Sequence, residues 1–270
     1  MTAPESIFMG ALQGITEFLP ISSPAHLIVV PWFFHMQEGD INKLTYDVML
    51  HLGTLAAILF IYGKKLIHVV MEGLLDFREG RGRQSLLAKL SIATIPAALA
   101  GILLQHLIER YLRTPFVAAY MLAFVSILMI IAERIHVERR AISYPVAIAV
   151  GIAQAVALIP GTSRSGATIT IGMLMGLKRS EAVDFSFMLS IPIVLGTALY
   201  EMRHFQHASQ GASLYVYGAL SAFVFGASSL NFLIQYLKRH SLDIFAYYRI
   251  VLALAILLVS LWSHEARLTA

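Results

Sequence analysis

Two short stretches of this chain hold the residue types that group-transfer chemistry needs. The first runs from Gln13 through Glu17 and Pro20 to Ser22-Ser23-Pro24-Ala25-His26, and the second is Pro160-Gly161-Thr162-Ser163-Arg164-Ser165-Gly166-Ala167-Thr168. Ser23-Pro24 has the composition of an N-cap followed by proline at the first helical position, and Thr162 and Ser163 precede Gly166 in the same way, so a helix is expected to start at each place. Two helix N-termini aimed at one centre would present free N–H groups and positive dipole ends, which bind phosphate without a large charged cluster. The candidates for that contact are Ser22, Thr162, Ser163, Arg164, Ser165, Gly166 and Thr168, with Arg164 as a planar bidentate clamp. Glu17, with the weaker oxygen ligand Gln13 one turn earlier, could hold a divalent cation, Mg²⁺ or alternatively Ca²⁺, with phosphate and water completing its shell. His26 stands three residues after Ser23 and could take a proton from the Ser23 hydroxyl or from water; both nucleophiles stay open. Glu17, Ser23, His26 and Arg164 are therefore the catalytic candidates.

The elements around these residues are apolar. Of 270 residues, 58% are hydrophobic and only 13% charged, against roughly 25% charged in a soluble domain. The apolar runs approach the ~20 residues needed to cross ~30 Å of hydrocarbon as helix and do not alternate as barrel strands would. The expected class is an all-α polytopic membrane protein. Six stretches read as spans, at 46–63, 87–107, 116–133, 182–201, 214–236 and 247–262. Residues 4–34 and 144–178 are each interrupted by the polar stretches above and read as re-entrant hairpins of two half-length helices. In such surroundings a charge costs at least ~2.5–3.5 kcal/mol, so Glu17, His26 and Arg164 require an explanation. A structural Glu17–Arg164 ion pair with His26 as a hydrogen-bonded helix residue is the competing account, but Ser22, Ser23, Thr162, Ser163, Ser165 and Thr168 supply far more polar groups than one pair needs. No cysteine is present, so any metal sits on oxygen or imidazole. The N-terminus lacks the basic region of a cleavable signal peptide.

Laid on each other, the halves match. Gly10-x-x-Gln13 recurs as Gly151-x-x-Gln154, Pro20-x-Ser22-Ser23 as Pro160-x-Thr162-Ser163, and Met49-Leu50 as Met188-Leu189, at an offset of about 140 residues. This predicts a single membrane domain of two repeats, 1–136 and 137–270. Each would be a hairpin plus three spans, and the odd number of spans between hairpins would invert the second repeat. One face then collects Lys64, Lys65, Arg78, Arg81, Arg83, Lys89, Arg134, Arg139, Arg140, Lys178, Arg179, Lys238 and Arg239, and the other Lys43, Arg110, Arg113, Arg203 and Arg267. The positive-inside rule makes the first face cytoplasmic and lets the two hairpin tips meet near the bilayer centre. The net charge of +4 belongs to these loops, so nucleic acid is not an expected partner. Glu72 to Arg83 reads as a charged loop, His35, His51 and His106 as packing or interfacial residues, and Tyr248-Arg249 as a membrane-edge anchor. Asp184 and Glu201 are weaker intramembrane candidates.

The quoted stretches resemble the undecaprenyl-diphosphate phosphatase family, also known for bacitracin resistance. Gln13 to His26 is similar to its Glu/Gln-x-x-x-Glu signature with the adjoining Ser-Ser-x-x-His, and Pro160 to Thr168 to its Pro-Gly-x-Ser-Arg-Ser-Gly-Ala-Thr motif. The resemblance runs over nearly the whole chain. It implies a polyprenyl diphosphate substrate hydrolysed to the lipid monophosphate and inorganic phosphate, a bacterial inner-membrane location with the site reached from the outer, periplasmic side, and Glu17, His26, Ser23 and Arg164 as essential glutamate, histidine, serine and phosphate-binding arginine. Gln13 stands where many members have a second glutamate, and Pro24-Ala25 replaces the more usual Thr-Gly. Expected partners are the bilayer, the lipid diphosphate and, as an alternative to a monomer, a second copy of the chain. The rival reading is a transporter of lipid phosphate or small anions, which would use the anion cradle but gain nothing from Ser23, His26 and Glu17 together.

Overall fold

The computed structural model describes residues 1–33, 43–135, 141–201 and 212–268. The proposed repeat boundary at 136/137, the last residue of hairpin 4–34, and His35, Arg139, Arg140 and Arg203 lie outside these residues. Ten α-helices follow in order: α1 (Ala3–Phe18), α2 (Ser23–Phe33), α3 (Lys43–Arg78), α4 (Leu86–Leu107), α5 (Pro115–Ile135), α6 (Tyr144–Val156), α7 (Arg164–Leu174), α8 (Arg179–Glu201), α9 (Ala212–Leu237) and α10 (Asp243–Leu268). No strand occurs among the described residues. Six segments are long and apolar enough to cross a membrane, namely Tyr46–Arg78, Leu86–Leu104, Pro115–Ile135, Arg179–Leu199, Ser213–Leu237 and Asp243–Ser260. Each overlaps one of the six expected stretches, the first running past its expected end at 63 to Arg78, and the chain is a multi-pass membrane protein.

Over their described residues the four remaining helices are too short to span. Helices α1, α2, α6 and α7 hold 16, 11, 13 and 11 residues, or about 17–24 Å at 1.5 Å per residue. Their boundaries follow local chemistry. Thr2 and Glu5 form a capping box ahead of α1, with Pro4 in the first turn, which satisfies two backbone N–H groups that the first turn leaves free. Helix α1 stops before Pro20. Helix α6 also opens with a proline in its first turn, after Ser143. At 36 residues, about 54 Å, α3 overshoots the bilayer. Residues Glu72 to Arg78, expected in a loop, continue this helix as an exposed charged end. The chain turns only at Gly80, with φ 75°.

Packing repeats between the halves. Helix α1 lies along α9, and α6, its counterpart in the second half, lies along α4; α5 pairs with α10 and α3 with α8. The recurring Gly-x-x-Gln explains the closeness: a Cβ on Gly10 would strike the carbonyl oxygen of Gly218 on α9, and one on Gly151 that of Ala93 on α4. Small residues that let helix backbones touch are the usual device where water gives no hydrophobic drive. Away from the turns, Glu133 on α5 pairs with Arg179 on α8 and accepts from the Leu242 N–H at 2.8 Å, just ahead of α10. Asp184 on α8 accepts from Tyr62 at 2.8 Å and Lys65 at 2.5 Å on α3.

Candidate active site

Both interrupted stretches form tight turns between half-length helices, and both turns are strained at one place. Ser22 (φ 75°) and Ser163 (φ 67°) are the non-glycine residues with positive φ among the described residues, a conformation costing about 1–3 kcal/mol each and concentrated at functional sites. Each sits immediately before a helix, so α2 opens with Ser23 and α7 with Arg164. Ser23, expected as an N-cap, is thus the first helical residue. The backbone pairs Ser22 with Ser163 and Ser23 with Arg164, whereas the sequence match pairs Ser23 with Ser163. The second turn, 157–163, holds seven residues against four in the first, 19–22, and Gly161 within it takes φ 90°, a conformation that favours glycine.

The two helix starts converge on Glu17 at the end of α1. Arg164 Nη2 donates to Glu17 Oε1 at 2.7 Å, while Glu17 Oε2 accepts from Ser23 Oγ at 2.7 Å and Gln13 Nε2 at 3.1 Å. The pair is largely shielded, with 9% of the Glu17 side chain and 16% of that of Arg164 exposed. Gln13 Nε2 also lies 3.3 Å from His51 Nδ1, so His51 belongs to the site rather than to packing. A cavity of about 210 Å³ opens over this cluster, lined among others by Glu17, Ser22, Ser23, Ser163, Arg164 and Gln154.

The other candidates sit around this centre with different partners. Ser163 Oγ accepts from the Gly166 N–H at 3.2 Å, capping α7, and lies 3.4 Å from Ser165 Oγ. Thr162 Oγ1 turns back to the Val156 carbonyl at 3.4 Å. Thr168 donates to the Arg164 carbonyl at 2.7 Å and meets Ser186 on α8. His26 is buried with its Nδ1 2.8 Å from the Ser22 carbonyl and its Nε2 2.7 Å from the Tyr248 hydroxyl. A carbonyl only accepts, so Nδ1 carries the proton and Nε2 accepts from Tyr248. His26 therefore does not bond Ser23, whose proton points at Glu17.

A divalent cation has a partial donor set here. Gln13 Oε1 is buried without a hydrogen-bond partner on the residue whose Nε2 donates to Glu17, and one carboxylate with one amide oxygen would suit a hard, oxygen-seeking ion such as Mg²⁺ when phosphate and water supply the rest. Among the described residues no group of three or more His, Asp or Glu side chains gathers to hold a metal without such help.

Comparison with known proteins shows the family. The family model described as bacitracin resistance protein BacA matches residues 6–255. The chain belongs to this family. A relative from Thermodesulfovibrio yellowstonii named undecaprenyl-diphosphatase is 41% identical over 259 residues, covering 94% of this chain and 96% of its own. Relatives of the same name from Elusimicrobium minutum and Enterococcus faecalis are 38% and 34% identical over 262 and 263 residues, covering 97% and 94% of this chain and 99% and 95% of their own.

Within this family frame, one residue read as a membrane-edge anchor proves central. Arg249 on α10 is 0% exposed. Its Nη2 donates to the carbonyls of Gly161 and Thr162 at 3.0 Å each, its Nη1 to that of Pro20 at 3.2 Å, and its Nε to Ser126 Oγ at 3.1 Å. One guanidinium thus ties both polar turns together. A charge inside the expected span 247–262 was the signal available in the sequence, but a place two residues from the span's start is equally that of an interfacial anchor.

Proposed function

We propose that the chain is a membrane hydrolase that converts undecaprenyl diphosphate into undecaprenyl phosphate and inorganic phosphate, recycling a lipid carrier for cell-wall synthesis and conferring bacitracin resistance. The observation that carries this reading is the convergence of Ser23 and Arg164, the first residues of two helices from different halves, on the two oxygens of one carboxylate in one cavity. The diphosphate seats against the two helix starts while its apolar tail leaves between helices into the lipid. Arg164 exchanges Glu17 for a phosphoryl oxygen, and a planar guanidinium can hold two such oxygens at once. Glu17, released from Arg164, takes the Ser23 proton as Ser23 Oγ attacks the terminal phosphorus. The bridging P–O bond breaks, and its electron pair leaves with undecaprenyl phosphate. Water then cleaves the seryl phosphate, restoring the serine and releasing inorganic phosphate.

His26 holds the carbonyl of Ser22 and so fixes the strained residue ahead of α2. Glu17 and Gln13 Oε1 would be the residues to hold a divalent cation such as Mg²⁺ together with phosphate and water, and its chemistry there would be to neutralise phosphate charge. Residues 1–136 and 137–270 act as inverted repeats, and the excess of Lys and Arg on one face directs the cavity toward the periplasmic side of the bacterial inner membrane. Transport alone would leave the Ser23–Glu17 contact without use.

Phosphate release from undecaprenyl diphosphate by detergent-purified protein tests the reading. The parent should release phosphate, chelator should stop it and Mg²⁺ restore it, and Ser23→Ala, Glu17→Ala and Arg164→Ala should each abolish it while remaining folded. A folded parent that releases none would refute it.

A further inference from the structure

The cavity contains a polar side chain that nothing in the fold satisfies. Gln154, on α6 three residues after Gly151, is 2% exposed, lines the cavity with Glu17, Ser23 and Arg164, and has no hydrogen-bond partner on either Nε2 or Oε1. Ser22 Oγ, on the same lining, is likewise buried and unpartnered. Buried amides are otherwise almost always paired, and a group left without partners loses its bonds to water for nothing in return. Gln154 is also the repeat counterpart of Gln13, whose own amide is anchored by Glu17 and His51. The second half has no acidic residue matching Glu17, since Gln154+4 is Leu158, so the Gln154 amide is left facing the cavity.

We propose that Gln154 is a substrate ligand that binds the terminal phosphate of the lipid diphosphate, and afterwards the inorganic phosphate product, an assignment that rests on the phosphatase reading. Its Nε2–H donates to a phosphoryl oxygen. Its Oε1 accepts from a water, because an anionic phosphate oxygen offers no hydrogen there. The amide adds no charge, so it complements Arg164: the guanidinium supplies attraction and the amide fixes which oxygen faces it. Ser22 Oγ, on the same cavity lining, donates to the same phosphate.

The test uses the full-length protein with Gln154→Leu and Gln154→Glu. KM and kcat for undecaprenyl diphosphate, the inhibition constant of inorganic phosphate and the melting temperature are measured on each. The Leu variant should raise KM and the phosphate inhibition constant about 10- to 100-fold, the range of one hydrogen bond to a charged group, and the Glu variant should raise both further through repulsion. The melting temperature of the Leu variant should stay level or rise, because an unsatisfied amide has been removed. Both constants within twofold of the parent in both variants would overturn the proposal, as would a Leu variant that melts early with unchanged constants. If the parent releases no phosphate at all, the phosphatase reading falls instead. Direct binding of radiolabelled inorganic phosphate then decides Gln154: binding to the parent that disappears in Gln154→Leu supports the ligand role, and binding absent from the parent or equal in both removes it.

Discussion

Replacing Arg249 by lysine should disable the site without touching a residue that lines the cavity. The guanidinium presents three nitrogens to three segments: Pro20 in the first turn, Gly161 and Thr162 in the second, and Ser126 on α5. A lysine keeps the charge but gathers its donors on one atom, so it reaches one of these segments at a time. Losing at least two hydrogen bonds from a charged donor, at about 1.5 kcal/mol each, predicts a stability loss of about 3 kcal/mol. The larger effect falls on activity. Once the turns are untied, Ser23 and Arg164 no longer meet on Glu17 by construction, and a displacement near 1 Å costs about 100-fold in rate. Arg249→Met should lose activity as fully while losing less stability, because it also removes a buried cation that has no carboxylate partner among its hydrogen bonds. Phosphate release and thermal unfolding of purified parent and both variants measure this. A lysine variant within twofold of parental rate and with an unchanged unfolding temperature would refute the argument that Arg249 ties the turns.

Other outcomes follow from single contacts. Glu17→Gln leaves Arg164 charged and unpaired in a shielded place, so it should cost about 3 kcal/mol, and adding Arg164→Met should recover stability but not activity; thermal unfolding with phosphate release separates the two effects. Ser163→Ala should lose about 1 kcal/mol through the missing cap on Gly166, whereas Ser163→Gly should be near neutral because glycine accepts φ 67° without strain, a contrast that unfolding temperatures resolve. Gly151→Ala drives a methyl into the Ala93 carbonyl and should destabilise by about 1–3 kcal/mol, as should Gly10→Ala against Gly218.

The six spans were legible because their signal is additive, a long apolar run whose register does not matter. The two turns were legible through the hydroxyls and charges clustered beside Pro20 and Pro160; a proline alone would not have marked them, since Pro96 and Pro192 lie inside α4 and α8. Their register was not. Motif matching aligned Ser23 with Ser163, while the backbone aligns Ser22 with Ser163, because the second helix begins at Arg164, four residues after Pro160, and the first at Ser23, three residues after Pro20. The Glu17–Arg164 contact, 2.7 Å in the structure, stood in the sequence only as the competing structural account of two charges that could not stand unpaired in hydrocarbon. Arg249 escaped because a lone arginine beside Tyr248 reads as an interfacial anchor unless the carbonyls it ties are already known to converge. Gln154 was seen as half of a repeat, but its lack of any partner is a property of packing that no spacing displays. His26 shows the same limit: three residues from Ser23 in sequence, it turns instead to Tyr248, 222 positions away.

The central claim is that Glu17, Ser23 and Arg164 direct attack at the terminal phosphorus of a lipid diphosphate. Hydrolysis of undecaprenyl diphosphate in ¹⁸O-labelled water, with both products analysed by mass, tests it most directly. The account predicts one ¹⁸O in the released inorganic phosphate, none in undecaprenyl phosphate, and no labelled product from Ser23→Ala. Label in the lipid monophosphate, or labelled phosphate at the parental rate from Ser23→Ala, would contradict it.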